Sequence, residues 1–175
     1  MSTPLDFVVL DVETTGLDAA KGDEVIEIAA QKIHGREVVG EFVALLKANK
    51  PIPPEATKIH GITQADIDAE EKNVADVIPE LITFIGDCVI IGHNVKFDLG
   101  FINEHLKRLN LPELTNQSID TVEIAKRYLL LASYRLSNVA AYLKIPQPSA
   151  HRALVDVITT REVFYKLIER AQGKK

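Results

Sequence analysis

Four carboxylates and one histidine, in three short stretches, are the residues of this chain with the greatest potential for chemistry. Asp11 and Glu13 lie two apart in LDVETTG, Asp98 ends HNVKFD, and His151 and Asp156 bound HRALVD. A carboxylate in such largely apolar settings does not help a chain to fold. Carboxylate oxygens are the ligands that hard divalent cations prefer, and a histidine exchanges protons near neutral pH. The set predicts a site for two divalent metal ions with a general base beside it.

The first pair of carboxylates belongs to a predicted strand. Residues 7–12, FVVLDV, are apolar except for Asp11, which predicts a buried central strand. Residues two apart on a strand point to the same face, so Asp11 and Glu13 should project together. Ligands of open α/β sheets bind beyond the carboxyl ends of the strands. For this pair taken alone, one capping acid and one exposed acid remain an equal alternative.

Asp98 is expected in the first turn of a helix over residues 95–109, after a short strand over residues 87–91. Asn94 is the predicted N-cap of this helix. The helix dipole alone favours an acid in the first turn, by roughly 0.3–1 kcal/mol. The arrival of a third acid at the same edge of the sheet favours a shared site over that simpler explanation.

His151 and Asp156 are five residues apart. At about 100° per residue, five helical steps rotate by about 140°, so the two side chains could not share one helix face. We therefore expect His151 in a loop and Asp156 about one turn inside a helix over residues 152–171. Asp156 would then be a fixed metal ligand and His151 a mobile general base. A loop histidine is more often merely solvated, and only the other motifs favour the catalytic role.

The remaining pattern predicts an α/β protein made of a single domain over residues 1–175. Strands first, then strands alternating with helices, indicate a mixed sheet with an antiparallel hairpin at one side. The other expected elements are hairpin strands 24–33 and 37–46, a Pro-rich loop 50–63, helices 73–85, 121–131 and 136–143, and a short edge strand 116–120.

Composition limits the partners. The net charge is −5, and without the four candidate ligands it would be −5 + 4 = −1, which argues against a long basic groove. It does not argue against binding a short nucleic-acid strand through bound cations. Cys88 is the only cysteine, so an internal disulfide is excluded, and we expect it to pack in the core. With neither a long apolar run nor a signal peptide in the sequence, a cytoplasmic protein without membrane contact is expected.

The three motifs resemble, in order, those of the DEDDh class of 3′→5′ exonucleases. These DnaQ-like enzymes include the proofreading epsilon subunit of bacterial replicative DNA polymerase. The resemblance runs from Phe7 to about Ile168 and includes KIHGIT and LSNVAAYL. A histidine rather than a tyrosine in the third motif indicates the DEDDh branch. It implies a ribonuclease H-like α/β fold, with a mixed five-stranded sheet, an antiparallel hairpin and flanking helices. Val155 departs from many relatives, which carry a further acid there.

The resemblance also implies roles for individual residues. Asp11, Glu13, Asp98 and Asp156 would hold two divalent metal ions, Mg²⁺ or Mn²⁺, and His151 would take a proton from the attacking water. The implied contacts with the 3′-terminal nucleotide are Thr14, Thr15, Gly16, Leu17, His60, Gly61, Ile62, Asn94 and Phe97. For each of these contacts, a role in a turn or in the core is an equal alternative. Lys96 and Arg152 are further candidates for phosphate contacts.

The leading functional hypothesis is a metal-dependent 3′→5′ exonuclease acting on single-stranded DNA, in the setting of replication proofreading and with a DNA polymerase as partner. The alternatives are an RNA-trimming exoribonuclease of the ribonuclease T or oligoribonuclease type and a non-catalytic binding module. DNA and RNA differ at the 2′-hydroxyl, whose contacts the sequence does not expose. A polymerase-binding tail is expected to be absent, so a free-standing nuclease, a trimmed piece and a polymerase domain all remain open, as do monomer and homodimer.

Overall fold

A computed structural model of the protein describes residues 6–147 and 151–173. Its strands are β1 (Asp6–Thr14), β2 (Val25–His34), β3 (Glu37–Leu45), β4 (Val89–Gly92) and β5 (Ser118–Asp120). Its α-helices are α1 (Pro54–His60), α2 (Gln64–Asp68), α3 (Val74–Ile85), α4 (Val95–Arg108), α5 (Thr121–Tyr128), α6 (Leu136–Tyr142) and α7 (Ala153–Ala171). A 3₁₀ turn covers Ala19–Lys21. Among these described helices, none has both the length and the apolar character needed to cross a membrane.

The strands form one mixed sheet in the order β3-β2-β1-β4-β5. β1, β2 and β3 pair antiparallel, whereas β4 is parallel to both β1 and β5. The hairpin between β2 and β3 turns at Gly35, whose φ of 64° is a conformation that glycine adopts readily. The expected mixed five-stranded sheet with an antiparallel hairpin is confirmed.

Alternation along β1 divides the core into two layers. Val8, Leu10 and Val12 pack on one face of the sheet with residues of α3 and α4. Phe7 and Val9 pack on the other face with residues of α7. Since every second residue of a strand shares a face, Asp11 and Glu13 continue the row that faces α7.

The Pro-rich segment is partly helical, so the expectation of a loop over residues 50–63 is wrong for residues 54–60. Pro53 is the N-cap of α1 and Pro54 is its first residue. Proline is favoured at that position because the missing N–H would have had no helical partner. The short helix α2 then follows, capped reciprocally by Thr63 and Asp66.

The start of α4 differs from expectation in mechanism. Asn94 is the N-cap residue, but its side chain makes no capping hydrogen bond, and its backbone is left-handed, with φ 69° and ψ 43°. Its backbone N–H donates to Asp120 Oδ1 at 2.9 Å, and the same oxygen accepts from Val122 N at 2.9 Å. The carboxylate of Asp120 therefore links the starts of α4 and α5.

Gly92 is expected to be intolerant of a side chain, because β4 passes into α4 by a tight turn there. A Cβ on Gly92 would lie 2.9 Å from Cβ and Cγ2 of Val95. Gly92→Ala should lower the free energy of unfolding by about 1–3 kcal/mol. Gly100, inside α4, is the matched control, since a Cβ there meets no heavy atom within 4 Å. Gly100→Ala should raise stability by about 0.5–1 kcal/mol. Urea unfolding of both variants checks this, and a similar effect at the two positions would contradict it.

Candidate active site

Three carboxylates meet where the face of β1 that packs on α7 ends. Asp11, Glu13 and Asp156 each offer an oxygen, and these ligand atoms all lie within 4.8 Å of one another. Asp156 is the fourth residue of α7, and its backbone N–H donates to the carbonyl of Arg152, as expected for a position in the first turn. One of its oxygens, Oδ1, is buried without a hydrogen-bond partner among the described residues. Such an oxygen is suited to a cation that the protein itself does not supply.

Asp98 reaches the same region from α4, but one of its oxygens is used by the fold. Its Oδ1 accepts a hydrogen bond from Val12 N at 3.0 Å. The paired residues of β1 and β4 run only from Phe7 to Val9 on the β1 side, because β4 ends at Gly92. Asp98 therefore supplies the partner that the sheet no longer provides. Within the described residues, it lies outside the group of three whose ligand atoms cluster within 4.8 Å.

Burial and mutual repulsion raise the pKa values of these carboxyl groups. Burial raises the pKa of Asp11 well above its usual value, and the charges of Asp98 and Glu13 add to the effect. Burial, followed by the charges of Asp156 and Glu27, raises the pKa of Glu13 to about 8. Burial is also the main cause that raises the pKa of Asp98 and of Asp156. Because a nearby positive charge would reverse these shifts, the site is electrostatically suited to bind cations.

His151 lies beside this cluster, outside any helix, as its spacing from Asp156 predicted. Its Nδ1 lies 3.4 Å from Asp156 Oδ2, and its side chain is 48% exposed. One ring nitrogen therefore faces the carboxylate while the ring stays open to solvent. Such a histidine is able to exchange a proton with a water molecule near the cluster.

Most of the expected nucleotide contacts surround one cavity of about 530 Å³. Its lining includes Glu13, Thr14, Thr15, Gly16, Leu17, Ile59, His60 and Phe97. Three of the expected contacts, Gly61, Ile62 and Asn94, do not line it. Gly61 is the left-handed C-cap of α1, and Ile62 is buried in the core with Ile26 and Ile67.

The turn that follows β1 is held rigidly at one end of this cavity. Thr14 Oγ1 donates to the carbonyl of Gly16 at 2.6 Å, and Thr15 Oγ1 accepts from Glu24 N at 2.9 Å. Gly16 is required by space, since a Cβ there would lie 2.2 Å from Asp23 Oδ2. The expected threonine contacts are therefore also structural residues of the turn.

His60 brings an unpaired donor to the wall of the same cavity. Its Nδ1 accepts a hydrogen bond from Ile62 N at 3.0 Å, which places the proton of the neutral ring on Nε2. Burial lowers the pKa of His60 and so favours the neutral form. Nε2 is buried and has no hydrogen-bond partner among residues 6–147 and 151–173.

A second cavity, of about 810 Å³, lies on the other side of Ile59, which lines both. Its lining includes the remaining expected contact, Asn94, together with His151 and the exposed cations Lys58 and Arg135. The cluster of carboxylates is thus approached by two cavities, one of which carries positive charge.

Two features of the site were missed in the sequence. Glu27 is 2% exposed and binds Arg152, so this arginine, expected as a phosphate contact, is engaged by the fold. A carboxylate inside the apolar stretch VIEIAA was the available signal. His93 was also missed: its Nδ1 lies 2.8 Å from Thr121 Oγ1 and its Nε2 lies 2.7 Å from the carbonyl oxygen of Tyr134.

The fold and the acidic site define the class of protein. The structure of Exonuclease X in complex with 5′-overhanging duplex DNA superposes with a TM-score of 0.74 at 27% identity, covering 95% of this chain and 93% of that one. The fold is thus the expected ribonuclease H-like one. A family profile described as Exonuclease matches residues 8–164. The chain therefore belongs to the exonuclease family.

Two curated relatives are named as DNA polymerase III proteins. The DNA polymerase III subunit epsilon of Aquifex aeolicus is 34% identical over 164 residues, which cover 93% of this chain and 80% of that protein. The PolC-type DNA polymerase III of Thermotoga maritima is 39% identical over 163 residues, covering 93% of this chain. The chain spans only 12% of that much longer polymerase.

Stability without metal should fall as pH rises. The pKa of Glu13 is raised from 4.5 to about 8 in the folded state. The folded protein therefore binds more protons than the unfolded chain between these values, and its free energy of unfolding decreases with increasing pH. The contribution is fully present below about pH 4.5 and is lost by about pH 8. Thermal unfolding in EDTA at several pH values should show this fall, and Glu13→Gln should reduce it.

The exposed residue Glu113 offers a control for this measurement. Glu113→Gln should leave the pH dependence as in the wild type. An equal fall for wild type and Glu13→Gln would show that Glu13 is not responsible.

Proposed function

We propose that this chain is a metal-dependent 3′→5′ exonuclease that releases nucleoside 5′-monophosphates from the 3′ end of single-stranded DNA. The clustering of Asp11, Glu13 and Asp156 within 4.8 Å, beside His151, carries this proposal. Asp98 adjoins the cluster and would complete the ligand set. Membership of the exonuclease family supports the reaction. The cavities and the relatives support the substrate and the 3′→5′ direction of cleavage.

The carboxylates fit a pair of divalent cations, Mg²⁺ or Mn²⁺. Among the described residues, Oδ1 of Asp156 has no hydrogen-bond partner, and the pKa values of the acids are raised. Both observations favour a bound cation. Asp11, Glu13, Asp98 and Asp156 would hold the cations. When bound, such cations polarise the phosphate, favour deprotonation of a water molecule and stabilise the departing oxygen.

The chain's own residues would handle the proton. The contact between His151 Nδ1 and Asp156 orients the ring and leaves Nε2 to accept the proton of the attacking water. The water oxygen forms a bond to phosphorus, and the bond from phosphorus to the 3′ oxygen breaks. The phosphate leaves as the 5′-phosphate of the terminal nucleoside, and the 3′ oxygen of the shortened strand takes a proton from solvent to become a hydroxyl.

The two cavities would receive successive nucleotides. The 530 Å³ cavity would take the terminal nucleoside between the turn at Thr14 and Phe97, with His60 Nε2 as a hydrogen-bond donor. The 810 Å³ cavity would take the preceding nucleotide, whose phosphate would approach Lys58 and Arg135. Ile59 would stand between the two bases. An apolar side chain between successive bases would unstack them, and this favours a single strand.

Similarity to proteins named epsilon subunit and PolC-type polymerase favours DNA over RNA and a role in replication proofreading. A DNA polymerase is accordingly the proposed partner. The DNA complex of Exonuclease X supports the same class of substrate.

The direct test compares 5′-labelled DNA and RNA oligonucleotides of one sequence, with Mg²⁺, Mn²⁺ or EDTA. We expect metal-dependent shortening from the 3′ end, faster for DNA. Asp11→Asn should abolish cleavage without lowering the unfolding temperature, because it removes a repelled charge together with a ligand. Faster cleavage of RNA would contradict the substrate, and an intact oligonucleotide with either metal would contradict the enzyme.

His151→Ala tests the general base. It should lower kcat by about 10²–10⁴-fold, with little change in KM, because a base contributes to the transition state rather than to binding. Steady-state kinetics on a DNA oligonucleotide provide the measurement. His34→Ala is the control, since His34 is exposed and bound to Asp6 at the far end of β1. A rise in KM as large as the fall in kcat would make His151 a substrate contact instead.

A further inference from the structure

An ion pair between the buried Glu27 and the partly exposed Arg152 lies next to the carboxylate cluster. Glu27, on β2, is the direct cross-strand partner of Glu13, so both side chains leave the same face of the sheet. Arg152 Nε donates to the two carboxylate oxygens of Glu27 at 3.0 and 3.1 Å, and a second guanidinium nitrogen lies 2.5 Å from Oε1. The backbone N–H of Ala153 also donates to Glu27, at 2.9 Å. These contacts join two segments that are 125 and 126 residues apart in sequence.

We propose that Glu27 and Arg152 are positioning residues for the active site, which fix the start of α7 and so place Asp156 against Asp11 and Glu13. This inference rests on the proposed function and adds residues that touch neither metal nor substrate. In this proposal Glu27 holds the third motif, HRALVD, to β2.

The cap of α7 shows how this works. Arg152 is the N-cap residue but makes no side-chain capping hydrogen bond within its own helix. Glu27 provides that cap from another strand by accepting from Ala153 N, and a carboxylate at a helix N-terminus is favoured by the helix dipole. Asp156 lies three residues further on, in the same turn. A shift of the helix start would therefore move Asp156 directly.

The pair also explains why Glu27, unlike the neighbouring Glu13, is not part of the carboxylate cluster. Glu27 adjoins Glu13, yet its oxygens are occupied by Arg152 and Ala153 and are absent from the metal-suited group. Arg152 thus offsets part of the repulsion that Glu27 adds to the cluster. Burial of the Glu27 carboxylate is costly, since it removes a charge from water, so the ion pair is weak evidence for stability. Placement of a ligand is a better reason for its presence.

Arg152, one member of the pair, directly follows His151, whose side chain is half exposed. In the sequence, Arg152 therefore stands between the proposed base His151 and the helix that carries Asp156. Glu27 holds the start of that helix through Arg152 and Ala153 N, whereas His151 contacts Asp156 directly, at 3.4 Å.

A second contact between the same two elements provides a matched control. Arg161 donates to Gln31 Oε1 at 2.6 Å, joining α7 to β2 about two helical turns beyond Ala153. Gln31→Ala removes this contact but leaves the N-terminal turn of α7 unchanged. Both contacts anchor the helix, and only the one made by Glu27 lies at the active site.

The test uses the variants Glu27→Gln, Arg152→Ala, Arg152→Lys and Gln31→Ala of the full chain. Mn²⁺ binding is measured by electron paramagnetic resonance without nucleic acid, and kcat and KM are measured on a DNA oligonucleotide below the unfolding temperature of each variant. Glu27→Gln and Arg152→Ala should weaken Mn²⁺ binding or lower kcat by about 10–100-fold, with KM within about 3-fold. Arg152→Lys should lose less than Arg152→Ala. Gln31→Ala should lower only the unfolding temperature.

The outcomes separate this inference from the proposed function. Wild-type Mn²⁺ affinity and kcat in both Glu27→Gln and Arg152→Ala would overturn the positioning role, as would an equal loss in Gln31→Ala. If Glu27→Gln does not fold, Arg152→Ala and Arg152→Lys decide the matter, because Arg152 is 46% exposed and its loss is tolerated more readily. Weakened Mn²⁺ binding in a chain that cleaves no oligonucleotide would support the positioning role and contradict the exonuclease proposal.

Discussion

Repulsion among buried carboxylates is the constraint around which this fold is arranged. Asp11, Glu13 and Asp156 would separate if their backbones were free, because their negative charges repel one another. They are held by elements that cannot move apart easily: β1 is hydrogen-bonded on both sides, and α7 packs on it through a buried apolar layer. Hydrophobic burial elsewhere in the sheet therefore offsets the cost of concentrating charge at one end.

Helix geometry reduces that cost. Asp98 and Asp156 are each the fourth residue of a helix, α4 and α7 respectively. The N-terminus of each helix therefore lies near a carboxylate that it carries, and the partial positive charge of the helix end partly compensates the negative cluster. Because β4 ends at Gly92, the Val12 N–H has no partner in β4 and donates to Asp98 instead. The short β4 therefore also fixes the position of a neighbouring acid.

Periodicity in the sequence was enough to predict the sheet, the long helices and the separation of His151 from Asp156. These are local properties, because a strand repeats every two residues and a helix every 3.6. The left-handed turn at Asn94 was not predictable in this way, since Asp120, its partner, lies 26 residues away. The pairing of Glu27 with Arg152 depends on strand β2 lying under α7, which no local pattern contains. A charged residue in an apolar strand indicated only that some partner was needed.

Partners, rather than residue type, decide which acids of this site can bind a cation. Asp98 gives one oxygen to the Val12 amide, and Glu27 gives both oxygens to Arg152 and Ala153. Asp156 keeps an oxygen that is buried and, among the described residues, has no partner. Acids on an open surface satisfy such oxygens with water, so an acidic patch alone indicates little. A buried oxygen without a partner, beside two further carboxylates of raised pKa, is what distinguishes this cluster as a site that requires positive charge.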